Sequence, residues 1–177
     1  MLIHIVIFIF YKSTMRSFLA IILVIVFSMT LGCSSKEVTL VEVDKSARKM
    51  YLRKHNKIIK AYNIALGLNP VGRKVMMGDN KTPEGTYVLD FKNPSSKFFK
   101  SIHISYPNYI DVLRARSVRA NPGNSIVIHG TPNGISEKAI IRKRGRDWTN
   151  GCIAIKNSDM DEIWSLVGIN TPIRIKP

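Results

Sequence analysis

Val38-Thr39-Leu40-Val41-Glu42-Val43, Lys49-Met50-Tyr51-Leu52 and Ile58-Ile59-Lys60-Ala61-Tyr62-Asn63-Ile64-Ala65-Leu66 decide the fold class. Each run is short, rich in β-formers and largely alternates apolar with polar positions, the pattern of half-buried strands. His55-Asn56 reads as a hairpin turn between the second and third runs, and Gly67, Pro70 and Gly72 close the block. Further strands are predicted over residues 86–91, 98–104, 125–129 and 172–176. Thr82-Pro83-Glu84-Gly85 places Pro and Gly as a type I turn prefers, and Asn121-Pro122-Gly123-Asn124 is a second turn signal. Residues 111–119 read as a short helix or an excursion. After residue 157, Ser158 and Asp161 have capping-box spacing, and Met160, Ile163, Trp164 and Val167 form an amphipathic stripe that Gly168 ends. The expectation is one mainly β domain with one or two short α-helices, without internal repeats.

Ahead of this block, residues 2–10 and 18–27 are apolar, with Lys12 and Arg16 between them. Neither run reaches the roughly 18–20 apolar residues of a membrane span. Met15-Arg16-Ser17 followed by an apolar core and Gly32-Cys33-Ser34-Ser35 makes a complete export signal, so the true start is expected at Met15. The expected organisation is a signal over residues 1–32, a short linker over 33–37 and a folded domain over 38–177. Gly32-Cys33-Ser34-Ser35 resembles a bacterial lipobox, with Thr30 where Leu is usual, which implies a lipidated Cys33 and a membrane-anchored, periplasmic domain. An ordinary cleaved signal and an uncleaved anchor are the alternatives, and all three place the domain outside the cytoplasm.

Lys12 and Arg16 are the only charges before Cys33, so the remainder carries 25 of the 27 basic residues and all 12 acidic ones, a net charge of +13. Such a field favours anionic partners. For an exported domain these are cell-wall polymers or membrane surfaces rather than nucleic acid. The basic residues are dispersed except for Arg142-Lys143-Arg144-Gly145-Arg146, which reads as a solvated loop or as a lid facing substrate.

Trp148-Thr149-Asn150-Gly151-Cys152-Ile153 carries the one cysteine beyond the export segment. A lone thiol in an exported domain has no intramolecular disulfide partner and is a candidate nucleophile. Ser125-Ile126-Val127-Ile128-His129 delivers a histidine to a strand end, where it can serve as base and then as acid. The amides of Asn150, Gly151 and Cys152 are placed to converge on an oxyanion, which completes the requirements for acyl transfer through a thioester. Each part also has a plain structural reading: a histidine at a strand end, a buried cysteine acting as a small hydrophobe, Trp148 as a packing residue. His55, His103, His129 and Cys152 show no metal-ligand spacing.

Three segments, in this order, resemble the L,D-transpeptidase catalytic domain of the YkuD type: Gly78-Asp79-Asn80-Lys81-Thr82-Pro83-Glu84-Gly85-Thr86-Tyr87, Ile126-Val127-Ile128-His129-Gly130, and Thr149-Asn150-Gly151-Cys152-Ile153-Ala154-Ile155-Lys156-Asn157. The resemblance covers nearly all of residues 38–177. It implies a β-sandwich of that type, with Cys152 as nucleophile, His129 as acid/base partner and an oxyanion hole around Asn150, Gly151 and Cys152. Gly130, Trp148, Thr149 and Arg146 are then expected to contact substrate. The implied substrate is a peptidoglycan tetrapeptide stem, cut between its third, diamino acid residue and the terminal D-alanine, with the acyl group passed to an amine. No metal or cofactor is implied.

Two departures stand out. Many members of the family have His where this chain has Asn150, and Arg where it has Ala154, and the missing Arg removes a contact for a substrate carboxylate or for loop structure. A branch with Trp-Thr-x-Gly-Cys-Ile-Ala is similar to this chain, so the change reads as altered specificity. The interval from His129 to Cys152 is long for the family, and the surplus falls on the basic segment at Arg142. Two readings compete with transfer to an amine: hydrolysis on the same scaffold, and a lipoprotein that only binds peptidoglycan through its basic surface.

Overall fold

A computed structural model describes residues 38–177. The export signal and Cys33 lie outside the described residues. Three strands open the domain: β1 (Leu40–Asp44), β2 (Lys49–Lys54) and β3 (Lys57–Asn63), a meander in which His55 takes the positive φ that the β2–β3 turn needs. The long strand β4 (Gly85–Ser96) pairs with β5 (Phe99–Ile104), and helix α1 (Tyr109–Ser117) leads to β6 (Val127–His129). Helix α2 (Glu137–Arg144) precedes the two-residue strand β7 (Ile153–Ala154), followed by helix α3 (Asn157–Leu166) and strand β8 (Thr171–Lys176).

The eight strands form one mixed, curled sheet in the order β3-β2-β1-β8-β4-β5-β6-β7. The last strand in the chain is therefore central, parallel to β1 and antiparallel to β4. Its burial alternates strictly, Thr171, Ile173 and Ile175 inward and Pro172, Arg174 and Lys176 outward, so one side faces the core. The two edges of the sheet then meet. Beyond β3, Ala65 exchanges both backbone hydrogen bonds with Ala154 of β7 (2.8 and 2.9 Å), and Leu66 and Leu68 bond Thr149. This junction leaves β7 no open edge.

One core fills the curl, built from Val41, Leu52, Leu89, Ile128, Ile153 and Ile173 among others, with Met160 and Ile163 of α3 packed into it. The mainly β fold is as expected, and three predictions of detail are corrected. Ser158 does not cap α3: Lys156 is the N-cap, without a side-chain bond, and the helix ends at Leu166, before Gly168. Residues 82–84 form no regular turn; the buried Lys45 ammonium bonds the Thr82 carbonyl (3.0 Å) and the Glu84 carboxylate (2.7 Å) and fixes the path of the segment. The basic run at 142–144 is the last turn of α2, not a loop; Ser136 caps the helix, and cations at its C-terminal end suit the dipole.

Candidate active site

Cys152 stands one residue before β7, and His129 ends β6, the strand paired in parallel with it. Ala154, two residues past the thiol, is the register partner of His129. The turn before the thiol is built from within. Thr149 Oγ1 accepts the Gly151 amide (3.1 Å) and donates to the Cys152 carbonyl (2.7 Å), and Gly151 adopts φ +127°, which glycine accepts readily. A Cβ at Gly151 would lie 2.7 Å from the Lys81 carbonyl oxygen, so the loop of the first motif is pressed against the turn. On its other flank, Arg48 bonds Asp147 through two nitrogens (2.8 and 3.1 Å), while Asp147 also accepts the Leu66 amide.

The thiol is half-buried and points at the Ser125 carbonyl (3.7 Å). Burial pushes its pKa up, opposed by the Val127 amide and the Lys74 ammonium. His129 is 2% exposed, its ring set between Phe98 (centroids 4.5 Å apart) and Trp148 (5.5 Å). Burial lowers its pKa to about 4, against the opposing hydrogen bond to Gly130, so the ring is neutral near pH 7. Nδ1 lies 2.6 Å from the Gly130 carbonyl oxygen. A carbonyl only accepts, so Nδ1 carries the proton and Nε2 keeps the lone pair. Among the described residues no hydrogen bond joins the thiol to this ring. The resting arrangement is a neutral thiol beside a neutral, oriented imidazole.

Gly130 is pinned next. Its amide bonds the Phe98 carbonyl (3.0 Å), and a Cβ there would collide with Asn157 Oδ1, the atom that also accepts the Thr131 amide (2.8 Å) and hydroxyl (3.1 Å). Asn157 thus ties the start of α3 to the loop after His129.

Cys152 opens onto a cleft of about 400 Å³, shared with Lys74, Asn80, Asn124, Ser125 and Asn150. Of the residues expected to meet substrate, Asn150 lies in this cleft. Gly151, expected to share in an oxyanion hole, has its amide engaged by Thr149 Oγ1. Trp148 walls a second cavity of about 760 Å³ under α2, floored by Phe98, Ile135 and Ile140 and rimmed by Arg142, Lys143 and Arg144. Arg146 lines a smaller one beside Trp148 and Ala154. Thr149 and Gly130 are buried and bonded internally. Ala154 packs with Ile140 and Trp148, on the α2 side, so an uncharged residue there takes no cation from the lining of the thiol's cleft. Among the described residues no group of three or more His, Cys, Asp or Glu side chains converges as a metal site.

Sequence reading missed Lys74, Phe98, Arg48 and Asp147 as parts of the site. Asp147 and Arg48 are 99 positions apart, so no local pattern links them. Lys74 lies before the first motif and its partner Asp79 within it, a pairing that strand or helix periodicity does not reveal.

A family model described as the L,D-transpeptidase catalytic domain (YkuD) matches residues 39–175. Escherichia coli (strain K12) YafK, named as an L,D-transpeptidase, is 30% identical over 112 residues, covering 62% of this chain and 37% of YafK. The helical cell shape determining protein Pgp2 of Campylobacter jejuni is 26% identical with a TM-score of 0.60, covering 78% of this chain and 47% of that one. Enterococcus faecium L,D-transpeptidase, at 17% identity and a TM-score of 0.52 over 79% of this chain and 50% of that one, is similar in fold. The chain thus spans half the length, or less, of these relatives.

Proposed function

Because this chain belongs to the L,D-transpeptidase catalytic domain family, we propose that it is a cysteine acyltransferase acting on peptidoglycan tetrapeptide stems at the cell envelope. The thiol turns from the Ser125 carbonyl toward Nε2 of His129, which takes its proton as sulfur attacks the carbonyl of the third stem residue. The amides of Asn150 and Cys152 receive the oxyanion. His129 then protonates the departing nitrogen as the C–N bond breaks, and D-alanine leaves a thioester on Cys152. An amine attacks the thioester, His129 takes one of its protons, and that proton returns to sulfur as the new amide forms. No cofactor enters this scheme.

The observation that carries this reading is His129, a buried neutral imidazole whose proton is fixed on Nδ1 by the Gly130 carbonyl. A base has to be neutral and oriented, and what sets this histidine apart from a structural one is that its strand pairs directly with the strand that Cys152 enters. The net charge of +13 beyond Cys33 suits an anionic wall polymer. Lipidation of Cys33 would hold the domain at the membrane; no helix among the described residues is long and apolar enough to cross one. The name of Pgp2 supports a role in cell shape.

The test incubates the protein with disaccharide-tetrapeptides beside Cys152→Ala and His129→Ala, with products identified by mass spectrometry. Cross-linked dimers with free D-alanine support transfer, and tripeptides alone assign hydrolysis instead. No turnover by the wild type, with binding unaffected by Cys152→Ala, would leave a wall-binding protein without catalysis. Mass analysis of the exported protein beside Cys33→Ala tests the lipid.

A further inference from the structure

The cleft at Cys152 contains a cation that the acyl-transfer scheme leaves without a task. Lys74 is 3% exposed, yet it lines the same cleft as Cys152 and Asn150, and among the described residues it is the one charged side chain that does so. Its ammonium has three protons. Two are directed at the Met76 carbonyl (3.0 Å) and Asp79 Oδ1 (2.9 Å). Asp79 does not depend on Lys74 alone: the amides of Val75 (2.8 Å), Met76 (3.0 Å) and Lys81 (3.1 Å) also bond its carboxylate. Asp79 offsets much of the ammonium's charge, and the third ammonium proton is the one left for a ligand in the cleft that Lys74 lines. The remaining field reaches the nucleophile, because Lys74 acts on the Cys152 thiol in the sense that favours thiolate.

We propose that Lys74 is the anion-recognition group of this cleft, and that its ligand is the free C-terminal carboxylate of the residue that leaves. This rests on the reading of a stem peptide as substrate. An enzyme that removes one terminal residue has that residue's carboxylate within a few bonds of the carbonyl attacked by sulfur. A cation in the wall of the nucleophile's own cleft therefore meets it and selects a chain end over an internal bond. Ala154 is uncharged and packs on the α2 side, away from this cleft, so Lys74 is the residue placed to do this. A charge-assisted hydrogen bond in a partly desolvated cleft accounts for about 10- to 100-fold of discrimination.

Binding can be read without turnover in the full chain carrying Cys152→Ala, titrated calorimetrically with disaccharide-tetrapeptide and with the same compound as its C-terminal carboxamide. The acid is expected to bind about 10-fold or more tightly. Adding Lys74→Gln should bring the acid to the level of the amide and leave the amide unchanged, and Lys74→Arg should restore the preference. Asp79→Asn controls for the loop, since it breaks the pair and keeps the ammonium. Its preference for the acid should survive. Equal binding of acid and amide by the parent protein overturns the proposal, as does an equal loss of both in Lys74→Gln. If Lys74→Gln does not fold, the parent protein's acid-to-amide ratio and its persistence in Asp79→Asn decide. A Lys74-dependent preference in a protein whose wild type releases no D-alanine would keep Lys74 as a binder of the terminal carboxylate and remove both the proposed function and the assignment of that carboxylate to a leaving residue. D-alanine release without acid preference would keep the proposed function and remove the role of Lys74.

Discussion

At Cys152 and His129 the same burial acts on two groups in opposite directions. It raises the thiol and lowers the imidazole, so each is neutral at pH 7 and the proton must move during the reaction rather than before it. The acid limb of kcat/KM should accordingly fall near pH 4, where His129 gains its proton, and not near the ordinary imidazole value of 6.5. A pH–rate profile with a limb at 6–7 would contradict the buried, neutral base. The same group affects folding. Between pH 6.5 and about 4 the unfolded chain takes up a proton that the folded chain refuses, so stability present above 6.5 is lost progressively as pH falls to about 4. Asp44, held low chiefly by the Ala47 amide, titrates beneath that window. Urea midpoints of the wild type should decline across it, and those of His129→Gln should lack that component. Gly151 is the other residue on which the site turns. With φ +127° and the Lys81 carbonyl 2.7 Å from where a Cβ would sit, Gly151→Ala should shift the thiol and cut kcat about 100-fold, with a smaller change in KM.

Among the elements, the segment of the first motif shows what a pattern can and cannot reveal. Thr82, Pro83, Glu84 and Gly85 were visible as special residues, but the reason for their shape is Lys45, at the other end of a 37-residue separation, whose ammonium also reaches the Gly72 carbonyl (2.8 Å). A turn formula assumes that the backbone closes on itself, and here a buried side chain fixes the path of a segment that makes no turn. The Lys45–Glu84 pair is almost wholly desolvated, so Lys45→Ala leaves an unpaired carboxylate and should cost about 3–5 kcal/mol in chemical denaturation. A loss under 1 kcal/mol would show that the pair is dispensable. Strands β1 to β3 were legible because alternation is local. The extent of α2 was not: its basic last turn has the composition of a loop, and the apolar floor it presents, Ile140 against Trp148, becomes visible only in three dimensions. Cys152 and His129 stood out as candidates by residue type and position, and the three motifs by their resemblance to the family. The partners that orient them, Phe98, Asn157 and Asp147, depend on pairings across the sheet.

For the molecule as a whole, the position of β8 matters most. Thr171, Ile173 and Ile175 fill the centre of the core, and the strand joins the β1–β3 meander to the half that carries the thiol. Deleting residues 171–177 should therefore abolish cooperative thermal unfolding, rather than shift its midpoint, as read by near-UV circular dichroism. Retention of a sharp transition would mean that the two halves are separately stable. The strand order also governs when, in the life of a newly made chain, the thiol becomes competent. The strand that completes the sheet, β8, follows Cys152 in sequence, so synthesis delivers the thiol before the strand that closes the core beside it. A nascent form that ends between Cys152 and β8 therefore carries the thiol without its assembled neighbourhood, and the site takes shape only once β8 has been made.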